Sequence, residues 1–561
     1  MKLRILVIHI IIFTGFTSCL AFSPARGKHA MVVTANRLAS EIGIEILKKG
    51  GNAVDAAVAV GFALAVVFPE AGNIGGGGFM LMRKNDGKTA CIDFRETAPI
   101  VSAGDMYIDS SGKVTDKIIR GALSAGVPGT VAGLLEALSK YGTMKLSQLI
   151  NPAIKLANDG FIVDLRLEQN ILNYEKELRQ FPSTVKTFFK NTNRYIQGDT
   201  LRQPDLARTL IRIRNKGWSG FYRGKTARLI VDAMKRGGGI ITEKDLSRYK
   251  SIIRKPITGT YRSYDIVSCP LPSSGGTCLI EMLNILEQYN LASLGFHSSK
   301  SVHIITEAMK RVYADRSEYM GDPAYAFLPE SILISKGYAS SRRKEIDSMH
   351  AAPAVDIHPG RISIKEHNNT THYSVIDKYG NCAAVTYTVN DIFGSQLIVD
   401  GAGFFLNNEM DDFSAKPGTP NSYGLLGGSA NAIEAGKRPL SSMAPTIVMK
   451  DGKPVMILGA RGGSAIITAL LQTILNVIDY GMNIETALNS PRFHHQWMPD
   501  TVFTEKYCLP RDVIQNLISM GQNPSETSNF YGAVQAIYVD GENSVIYGSS
   551  DPREGGMAAG D

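Results

Sequence analysis

Apolar and polar positions follow two different rhythms along the chain. Between residues 35 and 66 the apolar residues recur at helical spacing, and residues 52–66, rich in Ala and Val, are apolar almost all round. A helix without a polar face belongs in the interior, packed against a sheet. The turn Gly72-Asn73-Ile74-Gly75-Gly76-Gly77-Gly78 then feeds Phe79-Met80-Leu81-Met82, which reads as a strand. A nucleotide-binding loop needs the opposite order, strand then glycines then helix, with GxGxxG or GxxxxGK spacing. These glycines therefore point to close backbone approach or positive φ. From about 100 to 350 the pattern is mostly helical, with Lys, Arg and Glu on solvated faces and a turn at Pro272-Ser273-Ser274-Gly275-Gly276. After about 370 the period shortens to two, in residues 373–376 and 384–389, before a helical run over residues 465–480 and further strands. No internal repeat of roughly 20 to 50 residues is present. The pattern predicts a layered α/β structure with antiparallel sheet rather than a doubly wound parallel fold.

One hairpin carries a geometric expectation. Asp377-Lys378-Tyr379-Gly380-Asn381 is a turn signal between two alternating runs. A loop of two or three residues there makes paired positions sum to about 759 or 760. Residues 388–390 then face residues 370–371, with Thr388 and Asn390 on one side of the strand. Taken alone, this is a Thr-rich hairpin, since Thr is a good strand former.

Composition narrows the class. The chain has 561 residues, 44% hydrophobic and 20% charged, which excludes a disordered, collagen-like or coiled-coil protein and suits one large domain or two to three smaller ones. The net charge of +8 comes from 60 basic and 52 acidic side chains dispersed along the chain, so no nucleic-acid partner is expected. At the N-terminus, Lys2 and Arg4 precede an apolar run over residues 5–16, and Cys19-Leu20-Ala21 carries the small residues a signal peptidase reads. Residues 1–21 are thus expected to be a signal peptide and the protein to be exported, periplasmic or secreted. Phe16-Thr17-Ser18-Cys19 is similar to a lipoprotein signal with Phe where Leu is usual, which disfavours lipid attachment at Cys19. The remaining cysteines, Cys91, Cys269, Cys278, Cys382 and Cys508, are odd in number and lack CxxC or knot-like spacing, so no disulfide scaffold is expected. The adjacent His494 and His495, without HExxH or an i, i+4 pair, give no metal site, and no cofactor is expected.

Asn369-Thr370-Thr371-His372-Tyr373-Ser374 resembles the processing site of the gamma-glutamyltransferases, or glutathione hydrolases, which belong to the N-terminal nucleophile hydrolases. Further segments resemble that family in the expected order: residues 50–57, the turn 72–78, Asp93-Phe94-Arg95-Glu96, residues 407–413, residues 438–443 and Arg461-Gly462-Gly463-Ser464. They cover nearly the whole chain behind the leader. The resemblance implies an α+β, four-layer αββα sandwich of two mainly antiparallel sheets flanked by helices. It also implies self-cleavage between Asn369 and Thr370, giving a large subunit of residues 22–369 and a small catalytic subunit of residues 370–561 that stay together as a heterodimer.

The implied chemistry follows from that cut. Thr370 gains a free α-amine with an ordinary pKa of about 8, able to take the proton of its own hydroxyl. Thr370 would attack the γ-glutamyl amide of glutathione or related compounds, and water or an acceptor amino acid or peptide would resolve the acyl-enzyme. Thr388 would orient the nucleophile, and Gly462 and Gly463 would present backbone N–H groups to the oxyanion. Arg95, Ser441 and Ser442 would hold the donor's α-carboxylate, Asp412, Glu409 and Asn390 its ammonium, and Tyr423, in a Pro/Gly/Ser/Asn-rich stretch over residues 416–438, would cover the donor as part of a lid. Arg461 departs from relatives, which often carry Pro or Ala there; it is expected to be a solvated side chain, the other reading being an effect on the acceptor side or on local charge. Two other readings stand beside this one: a cephalosporin or glutaryl acylase of the same fold, and a non-catalytic exported protein that binds glutathione or glutamate.

Overall fold

The computed structural model describes residues 23–190, 193–360, 371–416, 429–528 and 530–561. The helix Ala53–Val67 is buried along its whole length. Asn52 caps it through the N–H groups of Val54 and Asp55, and Asp55 reaches back to the Asn52 N–H, a reciprocal box that satisfies the helix's first donors. Asp377, from the hairpin turn, accepts the Ala53 N–H at 3.0 Å, so the start of this helix and the hairpin turn are pinned together.

That hairpin differs from its expected register. Thr371 pairs with Tyr387 and Ile376 with Cys382, about one or two positions short of the arithmetic above. The reason is Asp377, whose Oδ1 accepts the N–H groups of Tyr379 and Asn381 while its Oδ2 accepts from the Asn381 side chain, closing a loop over residues 377–381. The second strand also ends at Thr388. Asn390 lies beyond it with φ of 74°, a left-handed conformation that Asn tolerates better than most residues.

Among the described residues, two seven-stranded sheets stack face to face. One runs in the order 25–27, 545–550, 533–540, 453–461, 446–450, 264–268 and 257–261. The other runs 557–560, 31–34, 371–376, 382–388, 77–83, 89–93 and 252–254, and neighbouring strands in both are antiparallel. Period-two alternation sorts their side chains. Tyr373 and Val375 join the helical layer holding the helix Ala53–Val67, whereas Ile376, Phe79, Leu81, Ile447, Ile457 and Ile537 meet between the sheets. A third cluster packs the helices Ser274–Leu286, Ser299–Tyr319 and Ala465–Ile478 on the outer face of the first sheet. The result is the four-layer αββα sandwich.

Two features depart from the sequence reading. The stretch read as helical contains the strands Ile252–Arg254, Ile257–Tyr261 and Tyr264–Ser268, which complete the edges of both sheets. Their short length and polar, partly exposed faces hide them from a periodicity argument. Cys91 and Cys269 form a disulfide across the interface between the two sheets, a pairing over 178 residues that no local spacing signals. Among the described residues no helix is long and apolar enough to cross a membrane.

Candidate active site

The site is assembled where the Gly-rich turn, the end of the hairpin and two later loops converge. A Cβ on Gly76 would collide with the Thr388 carbonyl, and one on Gly75 with the Phe405 carbonyl. None of the glycines at 75–78 has positive φ, so close approach, of the two reasons expected, explains them. Asn73 completes the contact: its Nδ2 donates to the Thr388 carbonyl at 2.8 Å while its Oδ1 accepts from the Gly76 N–H and the Thr130 hydroxyl. The Thr388 hydroxyl accepts the Asn390 N–H at 2.7 Å, and the Asn390 amide donates to the Asn408 carbonyl. Asn390 Oδ1 is buried and receives no hydrogen bond.

Arg95 follows the strand Thr89–Asp93, and Asp93 accepts its backbone N–H. Its guanidinium is fully buried, donating to the carbonyls of Pro439 and Leu440 at 3.0 Å each. The same group pairs with Glu409 at 2.5 Å, with Glu96 at 3.4 Å and closely with Asp412. The resemblance implies that Arg95 holds the donor's α-carboxylate; in the structure both Nη atoms are taken by carboxylates of the chain itself. Burial works against its charge, but Glu409, Asp412 and Glu96 outweigh that and hold its pKa above the usual value.

Three fully buried carboxylates face this one cation. Burial pushes Glu96 up to about 8 and raises Glu409 and Asp412, with Arg95 only partly opposing the shift. Glu96 Oε1, Glu409 Oε1 and Asp412 Oδ1 receive no hydrogen bond. Arg438 near Glu96 and Arg316 near Asp412 add positive charge from further away, but these carboxylate oxygens remain short of donors, an arrangement suited to a ligand ammonium. Asn431 braces it by donating to the Asp412 carbonyl at 2.6 Å and accepting the Leu440 N–H. Next in the chain, the Ser441 N–H donates to the Pro272 carbonyl, and the Ser442 hydroxyl accepts from Arg316 at 2.7 Å. The predicted turn at 272–276 thus holds Ser441 directly and Ser442 through Arg316, whose Nε donates to the Ser274 hydroxyl.

Gly462 and Gly463, with φ of 132° and 62°, link the strand Lys453–Arg461 to the helix Ala465–Ile478. Their carbonyls accept the N–H groups of Ala465 and Ile466. Because a trans peptide sets N–H opposite C=O, the Gly463 N–H points away from the helix, where the helix dipole also favours negative charge. Both glycines line a cavity of about 900 Å³ that Asn390, His494 and Gln496 also line. Gln496 Oε1 accepts from Ser464 at 2.7 Å and lies 3.1 Å from His494, bracing the turn. Burial lowers His494 to about 4, so it is neutral at pH 7.

Arg461 corrects its sequence reading. Its side chain is only 26% exposed and pairs at 3.0 Å with the buried Glu554, on the wall of the same cavity.

Of the expected site residues, Arg95, Glu409 and Asp412 come together, with Ser441 and Ser442 following the carbonyls that Arg95 binds. Asn390, Gly462 and Gly463 share the cavity, and Thr388 joins it through Asn390. Asn369, Thr370 and Tyr423 lie outside the described residues. Sequence reasoning overlooked Glu96, Asn73, Asn431 and Arg316 as supporting groups. Glu96 and Asn73 stood inside quoted segments, whereas Arg316, in a long helix, carried no local signal.

The gamma-glutamyltranspeptidase family profile matches residues 39–561. The glutathione hydrolase proenzyme of Escherichia coli (strain K12) is 49% identical over 534 residues, covering 95% of this chain and 92% of that protein. Among solved structures, the cephalosporin acylase from Bacillus halodurans superposes with a TM-score of 0.86 at 27% identity, covering 99% of both chains. The gamma-glutamyltranspeptidase of Helicobacter pylori matches at 49% identity with a TM-score of 0.57, covering 58% of this chain and 93% of that one. With the profile spanning almost the whole sandwich and the same segments converging on one site, the chain belongs to the gamma-glutamyltranspeptidase family.

Proposed function

We propose that this protein is a self-processing gamma-glutamyltransferase that cleaves the γ-glutamyl amide of glutathione and related compounds and passes the acyl group to water, an amino acid or a peptide. The observation that carries the donor assignment is the Arg95 cluster, with one guanidinium among three carboxylates. A γ-glutamyl group brings one carboxylate and one ammonium. On binding, its carboxylate takes up Arg95 in exchange for an internal partner, aided by the Ser441 and Ser442 hydroxyls, and its ammonium compensates Asp412 and Glu409 beside Asn390. Internal ion pairs are traded for ion pairs to the substrate, so the charged pocket is never left empty of counter-charge.

In this reading the chain is cut between Asn369 and Thr370, after a leader of residues 1–21 directs export to the periplasm or medium. Residues 22–369 and 370–561 are the two subunits. Their association is explained by strand pairing, since Thr371–Ile376 bonds to Met31–Thr34 and Cys382–Thr388 to Gly77–Arg83. The word proenzyme in the name of the Escherichia coli relative supports the cut. Thr370, covalently joined to Thr371 at the start of that strand, supplies hydroxyl and α-amine. The hydroxyl oxygen adds to the amide carbonyl, its proton passes to the α-amine and on to the departing amine, and the C–N bond breaks to leave a γ-glutamyl ester. Thr388 orients the nucleophile, and the Gly462–Gly463 turn receives the oxyanion, a donor there being worth about 3 kcal/mol. Tyr423 covers the donor.

The test is intact mass and N-terminal sequencing of the purified protein, followed by turnover of γ-glutamyl and glutaryl anilides. A chain beginning Thr370-Thr371-His372-Tyr373 with preference for the γ-glutamyl compound is expected. A preference for the glutaryl anilide, which lacks the ammonium, would transfer the assignment to the acylases. An uncut folded chain that binds glutathione would leave only the binding-protein reading.

A further inference from the structure

The Arg95 cluster accounts for the donor's charges, but the cavity of about 900 Å³ lined by the Gly462–Gly463 turn also has charged walls, among them Arg461 and Glu70, to which no donor group is assigned. Arg461 stands directly before the turn and, among the described residues, makes one hydrogen bond, from Nη1 to Glu554. Glu70, on the same cavity, is fully buried, and its Oε2 receives no hydrogen bond. Its other oxygen meets Arg166 at 3.5 Å and accepts from Asn170 at 3.2 Å. The cavity thus offers a guanidinium with unused donors and a buried carboxylate with an unused acceptor, within reach of the proposed oxyanion turn. A wall of this kind matches a small zwitterion.

Resting on the transferase reading above, we propose that Arg461 is the specificity-determining residue for the second substrate: its guanidinium binds the free α-carboxylate of the acceptor amino acid or dipeptide. The product amine of the donor half-reaction leaves through the same space, and Glu70 faces the amino end. In the transfer step the uncharged acceptor amine adds to the ester carbonyl of γ-glutamyl-Thr370. A C–N bond forms, the ester C–O bond breaks, and the surplus proton of the amine ends on the Thr370 oxygen. Glu554 holds the guanidinium at the cavity wall through the 3.0 Å bond from Nη1. The rival explanation is that Arg461 serves Glu554 alone, as a structural ion pair.

Acceptor discrimination separates the two. Initial transfer rates are measured with glycylglycine and with glycylglycinamide, which lacks the carboxylate, for the wild type, Arg461→Met and Arg461→Lys. Each value is normalised to that variant's own donor hydrolysis. The wild type is expected to favour glycylglycine by at least about ten-fold in kcat/KM, through acceptor KM. Arg461→Met should reduce that ratio to near unity, and Arg461→Lys should retain part of it. A ratio unchanged in Arg461→Met overturns the proposal. If that variant fails to mature, an unchanged ratio in Arg461→Lys overturns it equally, because Lys keeps the charge but not the fork. Wild-type protein that hydrolyses donor but transfers to neither acceptor overturns the proposal and leaves the hydrolase assignment standing. No donor cleavage at all overturns the underlying reading.

Discussion

Around Arg95 every charged group is enclosed, whereas around Arg461 the guanidinium stands on the wall of a cavity of about 900 Å³. In the first region one cation is shared by three carboxylates, and burial pushes all three upward in pKa with Arg95 only partly opposing the shift. In the second, Arg461 has the single ion-pair partner Glu554, and its side chain is 26% exposed. A fully buried cluster penalises a ligand that does not restore its charge balance, and a partly exposed cavity wall penalises one less.

The largest effect should come from removing the group both regions serve. Thr370→Ala should leave an uncut chain with activity lower by at least about 10⁴-fold, read by gel and anilide assay; normal processing would place the scissile bond elsewhere. Arg95→Ala comes next. It strips three buried carboxylates of their cation, so a cost of about 3–5 kcal/mol in stability, and a comparable loss in donor kcat/KM, is expected. Chemical denaturation and steady-state kinetics on whatever fraction matures would check both. A KM for donor equal to that of the wild type would remove Arg95 from the pocket.

Gly462→Ala probes the turn between the two regions. The added Cβ would lie 2.7 Å from the Gly532 Cα at a φ of 132°, so the oxyanion donors should be displaced and kcat should fall by about a hundred- to a thousand-fold. A kcat within a few-fold of the wild type would mean that the oxyanion is bound elsewhere. The smallest effect is a pH dependence. Glu96 moves from 4.5 to about 8 on folding, so the folded chain holds a proton the unfolded chain has released. Its contribution is complete below about 4.5 and is lost as pH rises toward about 8. Glu96→Gln, which cannot ionise, should flatten the decline in melting temperature over that window. A decline equally steep in the variant would assign it to other groups.

Much of the first region was legible only through the family resemblance, which short segments carry. Taken alone, Arg95 reads as a surface ion-pair partner and Asp411-Asp412 as a solvated acidic turn, and Glu96 beside Arg95 was overlooked, whereas the Gly-rich turn and hairpin are read from neighbouring residues. The second region was not. Arg461 and Glu554 are 93 residues apart, and nothing near either residue identifies its partner, so Arg461 read as solvated. The same holds for Arg316 on Ser442 and for the Cys91–Cys269 bridge.

By itself, the sequence determined that the helix at 53–67 is buried all round, that the 72–78 turn needs glycine, and which segments resemble the family's, since period, residue size and side-chain type act over a few residues. Tertiary structure alone decided the hairpin register, through the bonds Asp377 makes across its own loop and to Ala53. It also decided that Arg95 is shared among carboxylates and that Arg461 faces a cavity. Each of these depends on the relative placement of distant segments, and charge at close range is governed by that placement and by burial rather than by order along the chain.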